Sequence, residues 1–332
     1  MTIQDVAKQA KLSSATISRV LNNDSCVSAK TRERVERTIK ELGYVPNLLG
    51  RNLRREKTNV FYVLLPSIEN PFYSAIVQGI EEEARETDYS VMLCETYNDD
   101  KRFIKYAAAV RNKLADGIIL VSPMRNAIRH FRDIPLVICG ESDASYDCIQ
   151  VDIDNKLAAI DAVNHLLGLG KKNIALISGS YASGSLREAG YKAALESAGL
   201  ELKEELICKD CYHFEHGYNA AMKLMRSGVK VDGIFATVDL TALGAIRALG
   251  ALNIKIPEEV AVIGFDDLMY SRMNNPSLST IKQPCGGMGH ESFRLLYERI
   301  NGDSGKNNLV LQHKVIARES TIGSGYNVEE GL

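Results

Sequence analysis

No stretch of the chain approaches the roughly 18 consecutive apolar residues that a membrane helix needs. The first twenty residues, MTIQDVAKQAKLSSATISRV, lack the apolar centre of an export signal. This reading places the protein in the cytoplasm, with no membrane partner. Cysteine is sparse, with seven in 332 residues. An odd number of widely scattered thiols in so long a chain excludes a disulfide framework and reads as reduced, mostly buried side chains. Catalytic signatures are missing too: there is no Walker A loop, no G-x-G-x-x-G at a first strand-to-helix turn, no G-x-S-x-G elbow and no H-E-x-x-H. The expectation is a protein that is not an enzyme and carries no cofactor.

What is present is an ordinary globular composition, 45% hydrophobic and 25% charged, over a length that calls for two or three packed units. The net charge of −2 hides an asymmetry. Residues 1–57 hold twelve Lys/Arg against six Asp/Glu, a net of +6, while residues 58–332 hold 28 against 36, a net of −8. A basic head on an acidic body suggests a nucleic-acid-binding head. A small helical domain with a solvated basic face would give the same sum.

Within the head, Ile3, Val6, Ala7 and Ala10 recur at helical spacing. After a break at Lys11-Leu12, Ile17, Val20 and Leu21 form a second stripe. Ser13 is a suitable N-cap for that second helix, which leaves Ser14, Ala15, Ser18 and Arg19 on its exposed face. A third helix is predicted over SAKTRERVERTIKELG, capped by Ser28, striped by Val35, Ile39 and Leu42, and stopped by Gly43. Two short helices at a corner, the second presenting small residues and one arginine, fit a helix-turn-helix that enters the major groove N-terminus first. Small side chains let the backbone approach base edges, and Arg19 can make a bidentate contact to guanine. Periodicity alone would equally allow a three-helix interaction module.

TIQDVAKQAKLSSATISRVLN followed by VSAKTRERVERTIKELGYVPN resembles the DNA-binding head of the lac/galactose repressor (LacI/GalR) family almost position for position. The resemblance implies base reading by Ser14, Ala15 and Arg19, and phosphate contacts from Thr2, Ser13, Thr16, Ser18, Asn22, Ser28, Tyr44 and Asn47. The Ser-Ala pair resembles catabolite-control and galactose-type members, which read palindromes with a central C-G step. In the same family the segment NLLGRNLRR folds into a hinge helix only on DNA, and its leucine, here Leu53, enters the minor groove beside its dimer mate. Nine residues that include Gly50 are too few to hold a helix alone in water, and an apolar wedge that bends the duplex is physically sensible. Gly50 stands where the family more often has alanine.

From Asn59 onward, short apolar runs alternate with helix-length amphipathic segments. VFYVLLP, SVMLCET, GIILVS, LVICGE, NIALISG, LICKDC, GIFATV and VAVIGFD read as buried parallel strands. The fold class expected is therefore α/β: an N-terminal three-helix helix-turn-helix head, a hinge helix and a doubly wound core of two subdomains. The order of pieces resembles the family's periplasmic-binding-protein-like core. Expected bounds are 1–46 for the head, 47–57 for the hinge, 58–323 for the core and 324–332 for a polar tail. Within the core, the first subdomain is expected at about 58–157 and 286–317, and the second at about 158–285 and 318–323. Crossings between them are expected near 155–161, 284–288 and 317–320.

Ligand in such sheets sits at the carboxyl ends of the strands. ENPFYSAI places Phe72 and Tyr73 just past the first strand, where the family lines its effector cleft. SLREAGYKAAL matches the family's Arg-x-x-Gly-aromatic signature and makes Arg187 the ligand clamp, and VIGFDD makes Asp266 its acidic counterpart. An Arg and an Asp facing one cleft suit a polyhydroxylated ligand, since one donates and the other accepts; a structural ion pair at a domain junction would look the same. Tyr212 matches an aromatic that stacks on the effector, and could equally be core. Gly140 and Val238 depart from the family, standing where sugar-responsive members often have an aspartate and a small polar residue. Either the effector is less hydroxylated or oriented differently, or Glu141 and Ser122 take over those contacts.

CKDCYHFEH gathers Cys208, Cys211, His213 and His216, but four ligands so close along a strand and turn cannot easily converge tetrahedrally, so no metal is expected. The C-terminal GSGYNVEEGL carries no leucine heptad of the kind family tetramers use, which makes a homodimer the expected assembly. The reading that emerges is a repressor that binds a palindromic operator in double-stranded DNA and is controlled by a small, carbohydrate-type effector. A protein corepressor is the lesser alternative. A solute-binding protein for transport would explain the body but not the basic head, and an enzyme of sugar metabolism would lack any catalytic constellation.

Overall fold

The computed structural model describes residues 1–21, 24–44, 57–121, 133–141, 146–179, 182–302 and 308–323. They divide into two compact units, Met1–Thr58 and Asn59–Leu332.

Among its described residues the first unit holds three helices, α1 (Ile3–Ala10), α2 (Ser14–Leu21) and α3 (Ala29–Leu42). Thr2 and Asp5 form a reciprocal capping box at the start of α1. The Ser13 hydroxyl accepts the Thr16 N–H at 3.1 Å at the start of α2, and Ser28 caps α3 through the Thr31 N–H. Lys11 and Gly43 close α1 and α3 in the left-handed conformation. Val6, Ala10, Ile17, Val20, Val35 and Tyr44 pack into one small core, so the apolar stripes of the three helices meet as their spacing requires.

The second unit contains two six-stranded sheets. Its strands are β1 (Val60–Leu65), β2 (Ser90–Glu95), β3 (Gly117–Leu120), β4 (Leu136–Cys139), β5 (Ile149–Ile153), β6 (Ile174–Ile177), β7 (Ile207–Cys208), β8 (Gly233–Ala236), β9 (Ala261–Asp266), β10 (Ser279–Lys282), β11 (Leu309–Leu311) and β12 (Lys314–Ile316). One sheet runs β11-β5-β4-β3-β1-β2 and the other β12-β10-β9-β8-β6-β7. Every pair is parallel except β10 with β12. Both sheets reverse their winding between the first strand and the third, the arrangement that opens a ligand crevice at the carboxyl ends.

Helices cover both faces of each sheet. On the first, α4 (Pro71–Ala84) and α11 (Cys285–Ile300) share a core with Phe61, Val63, Ile119 and Val137, while α5 (Asp100–Arg111) covers the other side. On the second, α6 (Asn155–Gly168) and α7 (Ala182–Ser197) pack on one face, and α8 (Phe214–Arg226) and α9 (Asp239–Ala251) on the other. Short helices α10 (Met269–Met273) and α12 (Glu319–Ile322) complete the unit.

Four strands exceed the eight apolar runs read from the sequence. β5 and β10 escape that reading because Gln150, Asp152, Ser279 and Thr280 are buried polar residues within them. β11 and β12 are only three residues each and half exposed. The run LICKDC contributes only the two-residue β7. The chain passes between sheets at 154, at 283–284 and at 312–313. The third passage lies a few residues before the expected 317–320, because β12 already pairs with β10 of the second sheet.

Candidate functional site

The exposed face of α2 carries Ser14, Ala15 and Arg19, while Ile17 and Val20 are buried beneath it. Arg19 has no hydrogen-bond or ion-pair partner among the described residues, so its guanidinium is available. Thr2, Ser13 and Ser28 are exposed at the N-termini of α1, α2 and α3, where the helix dipoles and free N–H groups favour anions. The Thr16 hydroxyl lies 2.9 Å from that of Ser13, and Ser18 is half-buried. Tyr44 differs, since its side chain packs into the head core and leaves little of it for a phosphate. Asn22, Asn47, Leu53 and Ser122 lie outside the described residues, as does Gly50.

In the second unit the geometry centres on Arg187 of α7. Its guanidinium lies over the Phe265 ring, 3.6 Å from the centroid. Arg187 Nε donates to Asn155 Oδ1 at 2.9 Å, and Nη1 donates to the Thr237 carbonyl at 2.5 Å. Asp266, at the end of β9, lies 3.9 Å from Arg187 Nη1 and accepts a 2.7 Å hydrogen bond from Gln283 Nε2. Burial pushes the Asp266 carboxyl up to about 8; Arg187 opposes the shift and neighbouring Asp239 adds to it. Asp266 and Asp267 both adopt positive φ, +125° and +59°, an uncommon backbone state for non-glycine residues that clusters at functional sites.

Phe72, in the first turn of α4, is buried with Leu268, Cys285 and Met288. Half-buried Tyr73 meets it edge to face, with ring centroids 5.5 Å apart. Gly140 has φ +86°, and a Cβ built on it would touch Phe72 and Met288. The departure at Gly140 therefore coincides with a backbone state that favours glycine and with an apolar neighbour. Tyr212 is exposed beside His213 and His216, and its N–H donates to His216 Nδ1 at 3.1 Å. The structure thus brings Arg187 to Asp266 and Phe72 to Tyr73. It groups Tyr212 with the two histidines. Burial raises both thiols of the neighbouring pair, with Cys211 pushed up to about 11. Among the described residues, no cluster of three or more His, Cys, Asp or Glu is arranged to hold a metal ion.

Sequence reasoning missed four buried polar residues around the clamp. Asn155 presents Nδ2 to both carboxylate oxygens of Asp152, at 3.2 and 3.1 Å. Asp239 accepts from the Leu268 N–H and from the hydroxyls of Ser271 and Thr280 at 2.8, 2.6 and 2.6 Å. It thereby anchors the loop that follows Asp266. Thr237 Oγ1 and Gln283 Oε1 are buried without a hydrogen-bond partner among the described residues. Asp152, a polar residue within β5, and Gln283, the residue just after β10, were a signal that the sequence did offer.

Two family models account for almost the whole chain. One described as bacterial regulatory proteins, lacI family, matches residues 2–47. The other, described as periplasmic binding proteins and sugar binding domain of LacI family, matches residues 58–319. The HTH-type transcriptional regulator RegA of Clostridium saccharobutylicum is 34% identical over 329 residues, 97% of this chain and 99% of its own. Among solved structures, a transcriptional regulator CelR-cellobiose complex is 32% identical, with TM-score 0.73, covering 96% of this chain and 99% of that one. The lac repressor dimer bound to operator and the anti-inducer ONPF is 27% identical, with TM-score 0.88, covering 97% and 99%.

Proposed function

The chain belongs to the LacI family of bacterial regulatory proteins, as a DNA-binding transcriptional regulator with a sugar-binding domain and not an enzyme. From that membership we propose that it is a repressor that binds a palindromic operator as a homodimer and is controlled by a polyhydroxylated small molecule. The observation that carries the operator half is the α2 face, where small Ser14 and Ala15 flank an available Arg19. Ser14 and Ala15 point to a palindrome with a central C-G step. Leu53 is the minor-groove wedge, and Thr2, Ser13, Thr16, Ser18, Asn22, Ser28 and Asn47 are the phosphate contacts, Tyr44 being set aside because its side chain is built into the head core. Working on chromosomal DNA, the protein acts in the cytoplasm.

The effector half rests on Arg187 and Asp266, a donor and an acceptor side by side at the carboxyl end of the second sheet. Phe72, Tyr73, Ser122 and Tyr212 complete the proposed cleft. The homodimer is supported by apolar side chains exposed on edge strand β2 (Met92, Leu93) and on α10 (Met269, Tyr270, Met273), surface that a second copy would cover. Effector closure repacks the subdomains and sets whether the hinge orders on DNA. The test is a thermal-shift screen of sugars and sugar phosphates against the wild type and Arg187→Ala. A stabilising ligand whose effect vanishes in the variant is the expected result. A miss across the panel would count against the small-molecule reading and for a protein corepressor.

A further inference from the structure

The clamp is tied to two of the three passages between the subdomains. At the first passage, Asp152 is the fourth residue of β5 in the first sheet, and Asn155 opens α6, which packs on the second. Asn155 reaches both ways, its Nδ2 donating to Asp152 and its Oδ1 accepting from Arg187 Nε. This orientation is chemically fixed, since a guanidinium can only donate and a carboxylate can only accept. At the second passage, Gln283 follows β10 and precedes α11, which packs on the first sheet. Its Nε2 donates to Asp266, while its Oε1 is left unpartnered among the described residues. Asp152, Asn155, Arg187 and Gln283 are only 2%, 2%, 3% and 3% exposed, so water does not compete for these bonds.

We propose that Asn155 and Gln283 are positioning residues that link the Arg187–Asp266 pair to the two passages, so that the geometry of the pair and the relative placement of the subdomains move together. Building on the effector reading above, this explains how a ligand gripped by one subdomain acts on the other. Occupation of Arg187 pulls on Asp152 through Asn155, and occupation of Asp266 pulls on the start of α11 through Gln283. The unpartnered Gln283 Oε1 supplies an acceptor that a shifted arrangement can fill. The path is a chain of buried hydrogen bonds, and its Arg187–Asn155–Asp152 branch has one permitted polarity, which makes it stiff in a way that apolar packing is not.

The test needs neither effector nor DNA. Nitroxide-bearing amino acids are placed at exposed Lys105 of α5 and exposed Arg226 of α8, one on each subdomain, in the full chain diluted with unlabelled protein. Distance distributions are then read by pulsed electron resonance. Asn155→Asp sets two carboxylates face to face and should shift and broaden the distribution. The exchange Asp152→Asn with Asn155→Asp restores a donor opposite an acceptor and should return it to the wild-type form. Gln283→Met removes the second link without adding charge, should also broaden the distribution, and keeps the test decisive if Asn155→Asp fails to fold. A purely local structural role would lower thermal stability and leave the distances unchanged. Wild-type distributions in both Asn155→Asp and Gln283→Met, or a double variant as broad as Asn155→Asp alone, would overturn the proposal. Failure of the effector reading would show separately, as a screen without ligand-induced stabilisation.

Discussion

Arg187 does several jobs that lysine cannot combine. Its planar fork reaches Asn155 and the Thr237 carbonyl while its face covers Phe265, and a single ammonium offers neither the fork nor the stacking face. Arg187→Lys should therefore lose ligand-induced stabilisation as completely as Arg187→Ala, read as a thermal shift with a sugar that stabilises the wild type. Arg187→Ala should also destabilise the fold by on the order of 3 kcal/mol, because buried partners are left unpaired; denaturant titration measures it. Asp266 gives a second test with a defined sign. Burial raises its carboxyl from 3.8 to about 8, so across that window the folded protein holds a proton that the unfolded chain has released. Its contribution to stability is present at low pH and lost as pH rises through about 8. Asp266→Asn lacks this titration. The melting temperature of the variant relative to wild type should thus climb between about pH 4 and about pH 8 and level off above it; a constant difference would contradict the burial account.

At the scale of elements, helices α4 and α11 approach until backbone meets backbone. A Cβ on Gly79 would strike the Gly286 carbonyl, and one on Gly289 would strike that of Ile76. Gly289→Ala should force the helices apart at a cost on the order of 1–3 kcal/mol, visible as a lower urea midpoint. The head was legible in the sequence down to its caps, because its three helices are short and amphipathic and Ser13, Ser28 and Gly43 mark the ends by local chemistry. The apolar strands were legible for the same reason, since their burial is written in their own side chains. β5 and β10 were not, because Asp152 and Thr280 are paid for by partners distant in sequence or across a passage, and periodicity carries no information about such partners. The same limit hid Asn155 and Gln283. Arg187 and Asp266 were readable only through their family motifs, and Asp239 turned out to be an anchor for the loop beside them.

At the scale of the whole molecule, a basic head is joined to an acidic body. On the proposed reading, head residues grip DNA through phosphates and a few base edges, and the body, gripping a polyol, sets whether the segment carrying Leu53 orders on DNA. Two heads on one dimer require two half-sites in a palindrome. The most direct test is fluorescence anisotropy of the full chain with a labelled palindrome carrying a central C-G step, beside a scrambled duplex of the same composition, over stepped salt. The palindrome should bind at least about a thousand-fold more tightly, and its affinity should fall steeply and linearly in log–log form as salt rises. Equal affinity for the two duplexes would contradict the account.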